Sequence, residues 1–263
     1  MPRLTLLSLQ ALVAIVAIAF WQFFATVPIE GHMLLPPFFF STPLAVGSQI
    51  VDWFASGVIW KHLGITLWES ILAFVIGSFL GVAIGFWFAR KPLVAAVFDP
   101  YVKMANALPR VVLAPIFALW LGLGIWSKVA LGVTLVFFIV FFNVYQGVKE
   151  VSPTVLANVR MLGASRGQLL RHVYLPSATS WVFSSLHTSV GMAFVGAVVG
   201  EYMGSAAGVG YLILQAEGSF DINTVFAGIL VLTLFALLLD TLVSVIEKRL
   251  LTWRPQQSET EPL

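Results

Sequence analysis

Six apolar runs of helix length alternate along the chain with short clusters of charge, proline and glycine. They extend over Leu4–Val27, Thr66–Ala89, Tyr101–Leu123, Lys128–Gly147, from Pro176 to near Glu201, and Thr224–Ile246. A bilayer core takes about 20 apolar residues per helix, so each run predicts a membrane span. Arg90-Lys91-Pro92 closes the second and Lys248-Arg249 the sixth, whereas Pro109 and Pro115 interrupt the third. Arg3 and Ala17-Ile18-Ala19 imitate a cleavable signal, but the first run continues through Phe24. A signal's apolar core is only about 7–15 residues, so this run is read as an uncleaved first helix.

The distribution of cations predicts the orientation. With the amino terminus inside, Arg3, Arg90, Lys91, Lys149, Arg160, Arg166, Arg171, Lys248, Arg249 and Arg254 all fall on the cytoplasmic side. Only Lys61 and Lys128 then fall clearly outside, while Lys103 and Arg110 sit near the inner half of the third span. Both termini are therefore expected to be cytoplasmic. Pro28–Leu63 reads as an outer loop with an extended Leu35-Pro36-Pro37 stretch, and Pro255–Leu263 as a short polar tail. Three regions result: residues 1–65 (first helix and outer loop), 66–250 (a five-helix core with a cytoplasmic loop at 149–176), and the 251–263 tail.

Composition narrows the class. Hydrophobic residues make up 59% of 263 positions and charged residues 10%, with a mean hydropathy of +0.96. Soluble domains carry about 25% charged residues, so lipid must be the solvent for much of this surface. The pI near 9.0 could suggest nucleic acid, but the net charge is only +2 and the cations cluster at the ends of apolar runs. That is a membrane pattern, and no nucleic-acid partner is expected. The absence of cysteine excludes disulfides and thiol chemistry. His32, His62, His172 and His187 are scattered without ligand spacing, so no metal site is expected.

Two glycine series have helical spacing. Gly77, Gly81 and Gly85 share one face of the second span, and Gly196, Gly200, Gly204 and Gly208 continue that spacing through the end of the fifth. Small residues four apart let helix backbones approach closely, so helix packing is the favoured role for Gly77, Gly81, Gly85, Gly196 and Gly200. Gly204 to Gly210 reads as a turn or re-entrant segment.

Lys149–Pro176 is the longest cytoplasmic stretch and reads as two short helices. Ser152 can cap the first, with Pro153 at its first position. Val155, Leu156, Val159 and Leu162 then fall on one face, and Gly163 ends the helix. Ser165 and Gln168 make a capping-box pattern that opens the second helix, which runs to about Tyr174 before Pro176. Such a pair can dock into a partner's groove or rest on lipid headgroups, and periodicity leaves both open.

The motifs go further. Gly163 is followed nine residues later by Val173-Tyr174-Leu175-Pro176, which resembles the EAA signature of binding-protein-dependent ATP-binding-cassette (ABC) importer permeases. Leu162-Gly163-Ala164-Ser165 and Leu175-Pro176 are its most recognisable parts. Leu34-Leu35-Pro36-Pro37, the Pro109–Gly124 stretch, Ser127-Lys128, and Gly200-Glu201 through Gly208-Val209-Gly210-Tyr211 look like the nitrate/sulfonate/taurine branch. The resemblance implies an all-α, type I importer permease fold in the bacterial inner membrane. It implies a homodimer, a cytoplasmic ABC ATPase dimer that binds the ATP, and a periplasmic or lipid-anchored solute-binding protein. By the same resemblance the loop is a coupling helix. Ala157, Asn158, Val159, Arg160, Leu162, Gly163, Ala164, Ser165, Arg166, Leu175 and Pro176 would then meet the ATPase. The positions matching the Glu-Ala-Ala triplet are Ala157-Asn158-Val159, so the family's carboxylate is missing.

No G-x-x-x-x-G-K-[ST] occurs, so the chain is expected to carry no nucleotide cofactor and no ATPase site of its own. Ionisable groups inside spans are the candidates for the solute path. Arg110 and Asn106 beside Pro109 could attract an oxyanion, although Arg110 could instead snorkel to the interface or neutralise Asp99. Glu201 could serve as an outer gate or as an interface hydrogen bond. Glu69 is placed in the first turn of its helix, where a carboxylate suits the dipole. Asp240 is read as buried, without an assigned role. A stand-alone secondary transporter or channel would show repeated halves and an intramembrane chain of carboxylates or histidines. An embedded enzyme would need Glu69, Glu201, Asp240 and His187 clustered, and they are expected to be dispersed. The expected cargo is a small anion such as a sulfonate, taurine or nitrate.

Overall fold

A computed structural model describes residues 3–28 and 32–250. The described chain is mostly helical. Five helices are long and apolar enough to cross a membrane: α1 (Arg3–Thr26), α4 (Val58–Arg90), α7 (Ile125–Lys149), α10 (Leu175–Met203) and α12 (Ile222–Leu250). Shorter helices lie between them: α2 (Pro37–Phe40), α3 (Pro43–Ser56), α5 (Pro92–Ala107), α6 (Ala114–Leu121), α8 (Pro153–Met161), α9 (Arg166–Leu169) and α11 (Val209–Gly218).

Three boundaries differ from the sequence reading. The expected outer loop is largely helical: Thr42 caps α3 by accepting the Ala45 N–H at 3.2 Å, Pro43 starts it, and Gly57 ends it at φ +77°. Helix α4 then begins at Val58, well before Thr66, because Lys61 and His62 hid its first turns from a hydropathy reading. The third span is a broken pair, α5 and α6, bent by 85° across a 3₁₀ turn at Arg110–Leu113. Leu108 is extended (ψ 131°), as the residue before proline prefers, and Pro109 supplies no N–H to continue the ladder. Pro115 breaks nothing; it lies in the first turn of α6, where a missing donor costs little. The expected tail, with Arg254, lies outside the described residues.

The chain divides into two compact units: residues up to Ile65 with Ser205–Leu234, and Thr66–Gly204 with the chain from Phe235 onward. In the first, the Trp21 indole N–H donates to Phe40 O at 3.1 Å and the Ser41 hydroxyl pairs with Asn223 Oδ1 at 2.6 Å. The glycine segment after α10 is a turn in which Gly208 takes φ +109° and its N–H meets His62 Nδ1 at 3.1 Å. It leads into α11, whose ten residues reach only about 15 Å, half a bilayer core.

The second unit is built around α7, whose most extensive contact is with α10. Ala73, Val136, Val140, Val144 and Ala193 form its buried centre, and Phe74, Val82, Phe86, Val182 and Leu186 pack around it. Glycines set the helix spacing. A Cβ at Gly77 or Gly81 would stand 2.7 Å from Val136 Cβ or Val140 Cβ, and one at Gly85 would stand 2.8 Å from Phe141 O. One at Gly196 would stand 2.5 Å from Gly132 Cα. Gly132 and Gly147, which lack the regular spacing, are equally tight against Ala73 and Trp181.

Candidate functional site

The loop after α7 is organised by local caps. Helix α8 starts with Pro153, yet the Ser152 side chain makes no capping bond among the described residues. Its end is a complete Schellman motif: Gly163 at φ +82° donates to Arg160 O at 2.9 Å, and the Ala164 N–H donates to Val159 O at 3.3 Å. Ser165 and Gln168 then form a reciprocal capping box. The Ser165 N–H donates to Gln168 Oε1 at 2.8 Å and the Gln168 N–H to Ser165 Oγ at 3.3 Å. Helix α9 does not stop before Pro176. It passes through a π-helical turn at Leu170–Tyr174 directly into α10, with Pro176 in the first turn of that helix.

These caps hold out an apolar tip. Met161 is 84% and Leu162 86% exposed, and Ala157, Asn158, Arg160, Gly163 and Ser165 are exposed beside them. The apolar face expected of α8 is split: Leu156 and Val159 are partly covered, while Val155 and Leu162 are not. Ala164 is half-buried and Pro176 exposed; the side chains of Arg166 and Leu175 lie outside the described residues. Beneath the tip, a cavity of about 710 Å³ is lined by Trp87, Arg90, Lys91, Arg160, Leu169 and Tyr174 among others.

Inside the same unit, three ionisable side chains that the sequence places far apart come together. Glu69 of α4, Lys128 of α7 and Glu201 of α10 are each no more than 1% exposed. The Thr66 hydroxyl donates to Glu201 Oε1 at 2.6 Å, and the Glu69 carboxyl is enclosed beside them. Lys128 Nζ donates to the carbonyls of Leu123 and Gly124, and Gly200 lies against its stem. Lys128, expected on the outer side at the start of its span, is buried, and its ammonium satisfies the turn before α7 from within the packing. Glu69 lies three turns into α4 and does not serve a helix start. Glu201 sits wholly in the helix packing.

The remaining candidates separate. Arg110 sits at the 85° bend, with Nη2 donating to Asn106 O at 3.0 Å and to Asn106 Oδ1, and its guanidinium 4.8 Å from the Phe138 ring centre. It does not neutralise Asp99, which pairs with Lys103 at 2.6 Å. Asp240 is exposed, not buried, and its Oδ1 lies 3.4 Å from His187 Nε2. The four groups expected to be dispersed thus form two pairs. Among the described residues no group of three His, Cys, Asp or Glu could hold a metal.

Comparison with known proteins fits this architecture. The family model described as binding-protein-dependent transport system inner membrane component matches residues 73–252. A putative aliphatic sulfonates transport permease protein of Bacillus subtilis (strain 168) is 32% identical over 239 residues, covering 91% of this chain and 85% of the relative. A formylaminopyrimidine transport permease protein of Halalkalibacterium halodurans is 32% identical over 229 residues, covering 87% and 91%. The taurine transport system permease protein of Escherichia coli (strain K12) is 26% identical over 258 residues, covering 96% and 91%. Among solved structures, a chain of the MetNI methionine ABC transporter in inward-facing conformations superposes with a TM-score of 0.59 at 16% identity, covering 76% of this chain and 97% of that one. At that identity the likeness establishes a shared fold.

Proposed function

Because this chain belongs to the binding-protein-dependent inner-membrane components of ABC importers, we propose that its loop at 153–176 couples a separate ATPase to movement of the spans. The chain is a membrane-spanning permease subunit. The observation that carries the coupling reading is the Met161–Leu162 tip, held out between a Schellman glycine and a reciprocal capping box. Large apolar side chains at such exposure are suited to an apolar cleft. Helix α9 continues without a break into α10, so a push on the tip is delivered to a span as to a rigid lever. Rigid elements of this kind support switching between two discrete packings.

The energy for that switching comes from ATP bound by a partner ATPase dimer and not by this chain. A second copy completes the permease in a bacterial inner membrane, and a periplasmic or lipid-anchored binding protein delivers the solute. Both termini then face the cytoplasm, with Arg90, Lys91, Lys149 and Arg160 on the ATPase side. The sulfonate and taurine relatives favour a small organic or inorganic anion as cargo, with nitrate in the same class. With Ala157-Asn158-Val159 in place of the family's acidic triplet, docking relies on shape and apolar contact rather than on a carboxylate. Co-purification from membranes with the ATPase subunits tests this. M161D/L162D is expected to insert normally and lose the ATPase; a complex recovered in normal yield would refute the docking role.

A further inference from the structure

Asp240 and His187 lie within apolar spans, yet they are not sealed inside the fold. Asp240 is five residues inside the end of the α12 span at Val245, a depth of about 8 Å. Its side chain is 68% exposed and that of His187 is 34% exposed. Lysine and arginine stems can snorkel to the interface from such a depth, but aspartate has one methylene and cannot. A carboxylate facing acyl chains is strongly unfavourable, so this face does not meet lipid.

On α12 the exposed Leu237, Leu238 and Leu242 flank Asp240 with an apolar surface, so the polar wall lies on the α10 side. Along α10 the exposed positions Ser184, Thr188, Gly191 and Val195 recur at helical spacing and form one stripe. Two are hydroxyls, and a Cβ at Gly191 would meet nothing within 4 Å. In the middle of α4 the exposed positions Trp68, Ile71, Val75, Phe79 and Leu80 are large and apolar, as a lipid-facing surface requires. Within the chain, Asp240 Oδ1 has His187 Nε2 3.4 Å away. What its exposed oxygens still lack is solvation, which water supplies and lipid does not.

We propose that Ser184, His187, Thr188 and Gly191 of α10, with Asp240 of α12, line a water-filled segment of the solute path. This rests on the permease reading and adds the wall of the path to it. It also moves the path away from Glu201, which is enclosed.

The chain has no cysteine, so single cysteines can be introduced directly into the otherwise native protein. In inside-out vesicles carrying the nucleotide-free complex with its ATPase, the cationic impermeant reagent MTSET should modify S184C, T188C and G191C. The expected rate is at least about tenfold above that of V75C and F79C, because the reaction needs a thiolate and hence water. Modification of the α10 cysteines at the α4 rate would overturn the inference. So would exclusion of the reagent together with complete disulfide bonding between two copies of G191C, which would make the stripe a dry interface. If the native chain fails to bind the ATPase at all, the permease-coupling reading itself fails, a separate result from either labelling outcome.

Discussion

Replacing Gly163 separates backbone conformation from side-chain contact in the coupling loop. A Cβ added there meets nothing within 4 Å among the described residues, so no steric clash enters. What remains is φ +82°, in the left-handed region that non-glycine residues adopt at a cost of about 1–2 kcal/mol. Asparagine tolerates that region better than alanine, and a β-branched valine tolerates it worst. Since about 1.4 kcal/mol is tenfold in an equilibrium, alanine should reduce the docking-competent population by up to about 5- to 30-fold when the loop has an alternative of similar energy. The expected order of ATPase affinity is Gly, then Asn, then Ala, then Val. The membrane core, which the loop does not build, should keep its thermal stability throughout the series. The assay is titration of detergent-solubilised permease with ATPase subunits, alongside thermal unfolding of the permease alone. Equal affinity for Gly163→Asn and Gly163→Val, or an order that follows side-chain volume, would refute the reasoning.

Two further outcomes follow from the buried contacts. Glu69→Gln keeps a polar side chain of the same shape in the packing and should change stability by less than about 1 kcal/mol, whereas Glu201→Ala strips Thr66 of its acceptor and leaves Lys128 facing an incomplete cluster, a loss of about 3–5 kcal/mol. Thermal unfolding of the two variants checks this, and equal losses would contradict the reading that the Thr66–Glu201 bond anchors the cluster. Gly81→Ala pushes a Cβ to 2.7 Å from Val140 Cβ and should destabilise by about 1–3 kcal/mol. Gly64→Ala, on the same helix with open space around it, should instead stabilise by up to about 1 kcal/mol, and the opposite signs are the test.

Much of this protein was determined locally and was legible without coordinates. Apolar runs specify long helices wherever lipid is the solvent, because the backbone must satisfy itself, and α1, α4, α7, α10 and α12 follow from that. The Ser165–Gln168 box and the glycine end of α8 involve residues three to five apart, so their chemistry is contained in a short stretch of sequence. The family signature was legible for the same reason. Tertiary structure alone decided where charge resides. Lys128 reads as a cation at the outer start of a span, and the approach of Gly200 on another helix makes it a buried group. Glu69 and Glu201 are 132 positions apart, and no periodicity joins them until α4 and α10 both pack on α7. Glycine spacing identified close-packing faces but not their partners, which are valines, a phenylalanine carbonyl, a lysine stem and another glycine rather than a matching stripe. The physical divide is range: caps and spans depend on interactions within a few residues, whereas the burial or exposure of a carboxylate depends on which distant helix covers it.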